Sequence, residues 1–145
     1  MKKPGAKRAE RKQADLPGLV LDAGALQALE RRPIRLLVDL QRAHALGLPI
    51  RIPAGALAQS WRGGPRSAAL ARLLKQPSRV VQIDERSARE IGEFIASVRS
   101  SRSAKPDIAD AQVALVTRAT GSLVWTSDPD DMASYGVPAN FVRRL

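Results

Sequence analysis

The chain has 145 residues, 44% apolar and only 3% aromatic, with a formal net charge of +10 and no cysteine. That length suits one domain with a core of Leu, Val, Ile and Ala, and the missing cysteines exclude disulfides, thiolate zinc sites and a cysteine nucleophile. No apolar run reaches the ~18 residues of a membrane span, and the charged amino terminus lacks the apolar segment of a secretory signal. A reducing, cytoplasmic setting fits this composition. The positive charge favours a polyanionic partner.

Residues 1–17 read as a basic, flexible tail: residues 1–15 hold six basic side chains against Glu10 and Asp15. Residues 18–145 read as the folded domain. LPGLVLDAG, 16–24, is a buried strand ended by Asp and Gly. Residues 24–31 and 33–46 read as helices, the second with Pro33 at its first position and an apolar face of Ile34, Leu37, Val38 and Leu40. Gly47 stops it. LPIRIP, 48–53, is a second strand, followed by helices over 54–61 and 67–76 separated by the breaker RGGP.

RVVQID, 79–84, is a third strand. Asp84 caps a helix to about Arg99 whose apolar positions are Ala88, Ile91, Ile95 and Val98. A polar loop, SSRSAKP, leads to a helix from Asp107 to about Thr120, ended by Gly121. Only Arg118 is charged between 111 and 120, so most of that helix belongs inside. SLVWT is a fourth strand, DPDDMASYG one or two helical turns, and NFVRRL a short last strand. Strands alternating with helices predict an α/β fold around a parallel sheet covered on both faces.

In such sheets ligands bind beyond the carboxyl ends of the strands. Asp22 ends the first strand, Asp128 follows the fourth, and Asp107 and Asp110 open a helix on the same edge. Each has a capping explanation singly: Asp107 as N-cap, Asp110 in the first turn, and Asp128-Pro129-Asp130-Asp131 as cap, Pro and acids. Asp22 is the hardest to read as a cap alone. Carboxylates converging on one edge repel one another and raise a pKa, and a hard divalent cation relieves the repulsion. Other chemistries lack their residues. His44 is the single histidine, GGP lacks the ending of a phosphate-binding loop, and no GxSxG elbow occurs.

The segments LVLDAGALQALER, PAGALAQSWRGG and PDIADAQVALVTRATGSLVWTSDPDDM together resemble the PIN-domain ribonucleases, most of all the VapC-type toxins of bacterial toxin–antitoxin pairs. The resemblance covers about residues 18–135. It implies a three-layer α/β/α sandwich and endoribonuclease activity dependent on Mg²⁺ or Mn²⁺. Asp22, Asp110 and Asp128 match the family's metal-binding acids, and Thr126 matches a hydroxyl that steadies the last loop. Asp107, one turn before Asp110, faces nearly the same way and is placed with the catalytic acids.

One position departs from the family pattern. Gln59 stands nearest to a glutamate that many members carry, and a neutral amide supplies neither charge nor a base. Glu30, on the first helix, is a candidate substitute. The departure leaves one or two metal ions open. Arg62, Arg66 and Arg72, around the RGGP break, are candidate RNA contacts, and Arg143, Arg144 and the tail are further ones. The resemblance also implies a small antitoxin laid over an apolar groove, with Leu70, Leu73 and Leu74 as its candidate surface, and homodimerisation. Two rival readings stay open: a PIN-like module that binds nucleic acid without cleaving it, and a Mg²⁺-dependent phosphatase-like domain.

Overall fold

The computed structural model describes residues 16–98 and 107–145. Most of the expected tail and the expected loop SSRSAKP lie outside the described residues.

Five parallel strands form one sheet: β1 (Leu19–Leu21), β2 (Ile50–Pro53), β3 (Arg79–Val81), β4 (Leu123–Thr126) and β5 (Val142–Arg144), in the order β3-β2-β1-β4-β5. Among the described residues, seven α-helices flank it: α1 (Ala23–Ala28), α2 (Ile34–Ala45), α3 (Ala54–Ser60), α4 (Ala68–Lys75), α5 (Glu85–Val98), α6 (Ile108–Thr120) and α7 (Pro129–Ser134). This is the three-layer α/β/α sandwich predicted. The three interior strands, β2, β1 and β4, are buried throughout apart from one intermediate residue, as a covered parallel sheet requires. None of the described helices is long and apolar enough to cross a membrane.

Local signals placed most elements. Asp84 accepts from the Ser87 amide at 2.8 Å, and the Ser87 hydroxyl accepts from the Asp84 amide at 2.8 Å, so the head of α5 is doubly capped. Gly121, at φ 61°, ends α6 in the left-handed conformation that glycine adopts without strain.

Several expectations are corrected. Pro33 is the residue before α2, as its N-cap, and not the first helical position. The buried stripe of α2 is Leu36, Leu40 and Ala43, while Ile34 is 77% exposed and Val38 is also exposed. Two apolar stripes at helical spacing coexist in that sequence, and periodicity alone does not choose between them. On α5, Ile91 is buried and Ala88 exposed; Phe94 turns inward instead, its ring 5.9 Å from that of Tyr135. Leu70 and Leu73 are core residues, and Leu74 packs against the core, so they present no open docking groove.

The inner helix α6 is held by Gln112, which is buried. Its Oε1 accepts from the Gly55 amide at 2.9 Å and its Nε2 donates to the Val81 carbonyl at 2.8 Å. One side chain therefore ties α6 to the head of α3 and the end of β3. Gly55 allows this closeness, since a Cβ there would stand 2.9 Å from the Ala109 Cα. Gln112→Ala strands both backbone groups and is expected to cost about 2–3 kcal/mol in urea unfolding with an unchanged m-value. A loss below ~0.5 kcal/mol would show that water replaces the amide.

Candidate functional site

Strand order reverses between β1 and β4: from β1 the chain builds outward to β2 and β3, then returns to add β4 and β5 on the other side. The carboxyl ends of β1 and β4 therefore border a crevice, the place where open α/β sheets bind ligands. A cavity of about 270 Å³ lies there, and Asp22, Gln27, Gln59, Asp110, Thr126, Asp128 and Asp131 are among its lining.

Asp22 immediately follows β1 and is 5% exposed. Its Oδ1 accepts from the Ala25 amide at 2.8 Å, capping α1. Burial pushes its pKa above the ordinary carboxylate value, against the opposing pull of hydrogen bonds from the Thr126 hydroxyl and from nearby backbone amides. Thr126, fully buried at the end of β4, also accepts from the Asp128 amide at 2.9 Å. One hydroxyl thus couples the loop after β1 to the loop after β4. Gly24 lets these loops meet, because a Cβ there would overlap the Ser127 side chain.

Asp128 caps α7, its Oδ1 accepting from the Asp131 amide at 3.0 Å. Asp110 sits in the first turn of α6 and is half-buried. Its pKa is raised from 3.8 to about 7, first by burial, then by the charge of Asp131 and a hydrogen bond to it, and then by Asp107 and Asp22. The crowding of negative charge expected from the sequence is therefore present, and Asp110 is where it is felt.

Asp107 is not among the residues that line the cavity. Its Oδ1 accepts from the Asp110 amide at 3.1 Å as the cap of α6, and Gln59 Nε2 donates to both its oxygens at 3.3 and 3.2 Å. Its own amide donates to the Tyr135 hydroxyl at 3.0 Å. Asp107 thus positions the head of α6, and Gln59, which does line the cavity, is pinned to it.

Glu30 does not lean over the site. It lies in a single 3-10 turn after α1, and its Oε1 accepts from the Ala69 amide at 2.8 Å in the first turn of α4. There a carboxylate satisfies an orphan donor and faces the positive end of the helix. Arg62 and Arg66 line a neighbouring cavity, while Arg72 lines neither. His44 is exposed near the end of α2, outside the carboxylate cavity.

From the sequence, Asp131 is only a first-turn acid of a short helix, alongside Asp130. The structure separates the two: Asp131 lines the cavity and Asp130 does not. The spacing held a signal, since Asp128 and Asp131 are three apart, as Asp107 and Asp110 are.

The side-chain donors around the cavity are chiefly oxygens: four carboxylates, the Thr126 and Ser127 hydroxyls and two amides, with the Met132 thioether beside them. That set fits a hard cation such as Mg²⁺ or Mn²⁺ and suits a soft metal poorly. As the side chains stand, no three acids or histidines among the described residues are drawn together tightly enough to chelate an ion. Two of the carboxylates, Asp22 and Asp128, are engaged as helix caps, and the other two, Asp110 and Asp131, are hydrogen-bonded to each other. Electrostatic coupling reaches further than a coordination bond, so the pKa of Asp110 registers Asp107 and Asp22 as well as its hydrogen-bond partner Asp131. No family model matches the chain, and no curated protein matches it.

Proposed function

We propose that this chain is an endoribonuclease of the PIN-domain kind, dependent on Mg²⁺ or Mn²⁺ and acting as the VapC-type toxin of a toxin–antitoxin pair. The observation that carries the reading is the grouping of Asp22, Asp110, Asp128 and Asp131 around one cavity at the sheet's switch point, with Asp110 pushed up to about 7 by burial and by neighbouring acids. Folding brings these charges together against their repulsion, and a cation gives that arrangement a use.

Asp22, Asp110 and Asp128 are the residues that would hold the ion, with Asp131 as a fourth oxygen donor. When bound, the cation supplies an acidic water at neutral pH and positive charge for the phosphoryl oxygens. Thr126 fixes the spacing of the β1 and β4 loops, so that two of the acids stay oriented. Asp107 sets the head of α6 and holds Gln59, which offers a neutral amide at the cavity wall. Gln59 adds no charge at the expected glutamate position, which favours one ion over two. The basic remainder of the chain draws in the polyanion, and a small antitoxin is the partner this reading implies.

The deciding experiment incubates purified protein with total RNA in EDTA, Mg²⁺ and Mn²⁺, alongside a small phosphomonoester. Discrete RNA fragments that require the divalent ion are expected, with no phosphate released from the monoester. RNA binding with no cleavage under any condition would leave the nucleic-acid-binding module instead.

A further inference from the structure

Beside the acidic cavity lies a second one of about 200 Å³, whose lining includes Gln27, Ser60, Arg62, Arg66 and Ser67. Gln27 lines both, so the two share a wall. Between them stands the carboxyl end of α3, fastened by the Ser60 hydroxyl, which donates to the Ala23 carbonyl at 3.2 Å. Ala23 is the residue after Asp22, so the turn beyond α3 begins at the rim of the carboxylate site.

That turn carries Trp61, Arg62 and Gly63. Its backbone is held at both ends. The Trp61 amide donates to the Leu57 carbonyl at 2.8 Å, and the Arg62 and Gly63 amides donate to the buried Ser67 hydroxyl at 2.8 and 3.1 Å. Of the five aromatic side chains in the protein, Trp61 alone is exposed, at 43%. One exposed aromatic is ordinary by itself. This one sits on a fixed backbone beside two arginines, neither of which pairs with a carboxylate among the described residues. Among the described residues, the Arg62 guanidinium donates only to the neighbouring Trp61 carbonyl at 2.8 Å. The single acid in the second cavity, Glu30, is turned to the Ala69 amide.

We infer that Trp61, Arg62 and Arg66 form a one-nucleotide subsite for unpaired RNA, with a base stacked on the indole and the adjoining phosphate held by the two guanidinium groups. The strand then runs over Gln27 into the carboxylate cavity. This rests on the ribonuclease reading for its direction, and on its own residues for the binding. An exposed indole needs a splayed base, so the subsite selects single strands over duplex.

The test is binding in EDTA, where nothing is cut, of a labelled unpaired RNA about 12 nucleotides long and of the same strand annealed to its complement. Because Trp125 is buried, quenching of the exposed indole reports on Trp61. The single strand is expected to bind tighter and to quench. Trp61→Ala should weaken binding roughly tenfold, while Trp61→Phe retains most of it. Arg62→Ala and Arg66→Ala should each flatten the salt dependence by about 0.7 in log–log slope. Circular dichroism melts confirm that these exposed-site variants fold. Wild-type affinity in Trp61→Ala, an unquenched indole, or preference for duplex would overturn the subsite. Because no metal is present, those results would leave metal-dependent cleavage by the wild type standing. Trp61-dependent binding by a protein that never cleaves would instead retain the subsite and remove the nuclease.

Discussion

Asp110→Asn is expected to abolish divalent-dependent RNA cleavage, by at least about a hundredfold, and yet to melt above wild type when metal is absent. The two effects have one cause. The Asp110 carboxyl is raised from 3.8 to about 7 by burial and by the charges of Asp131, Asp107 and Asp22. A folded-state pKa above the unfolded one means that the folded protein holds its proton more tightly. Stability from this group is therefore complete below about pH 4 and falls as pH rises through about 7. At pH 8 the wild type carries the full penalty and the asparagine carries none. Solvent screening of a half-buried side chain reduces the gain to ~1–2 kcal/mol, a few degrees in Tm, less a few tenths for the lost favourable charge in the first turn of α6.

Thermal melts in EDTA between pH 5 and 8 check the sign: the variant's advantage should widen with pH. Added Mg²⁺ should raise the wild-type Tm and close the gap, because an ion that binds only the folded state stabilises it. A variant that melts below wild type at pH 8 would mean that Asp110 is held by favourable contacts and that the carboxylates are not poised for a cation.

At the opposite edge of the sheet, Arg51→Ala is expected to be the most damaging of these substitutions, at about 3–5 kcal/mol in chemical unfolding. Arg51 is 2% exposed in the middle of β2. Among its contacts, Nη1 donates to the Ser122 hydroxyl at 3.0 Å and Nη2 to the Leu16 carbonyl at 2.6 Å. Ser122 in turn accepts from the Gly18 amide at 3.0 Å. The guanidinium therefore ties together the approaches to β1 and β4, the two strands whose far ends carry Asp22 and Asp128. Alanine removes the volume and strands those acceptors together. Arg51→Met keeps most of the volume and should recover part of the loss, since a buried charge adds less than good packing does. Equal losses for the two variants would show that hydrogen bonding, and not volume, dominates there.

Nothing in LPIRIP marked Arg51 as buried. An arginine in a short apolar run reads as an outward-facing residue, and only the presence of Leu16 and Ser122 at one end of the sheet gives its donors somewhere to go. Glu30 shows the same limit from the other direction. Its sequence position suited a substitute for the missing glutamate, yet its best partner, the Ala69 amide, lies 39 residues away on α4. Asp131 was legible in kind but not in place, because an acid in a helix's first turn is locally satisfactory whether or not a cavity lies beside it.

The sequence by itself determined the order of the elements and several of their ends, though β3 stops at Val81, short of the expected Asp84, and the helix of α1 at Ala28, short of the expected Arg31. Asp22, Asp84, Asp107 and Asp128 each cap a helix through an amide three residues on, and Gly121 stops α6, all through contacts within one turn of chain. Such signals are local, so they survive in the sequence unaided. Only the tertiary structure decided which carboxylates share a cavity, which stripe of α2 is buried, and that Trp61 alone among the aromatics faces outward. Those outcomes follow from pairing β1 with β4 across about a hundred residues, and such pairing is set by the burial of the whole core rather than by the propensity of any segment.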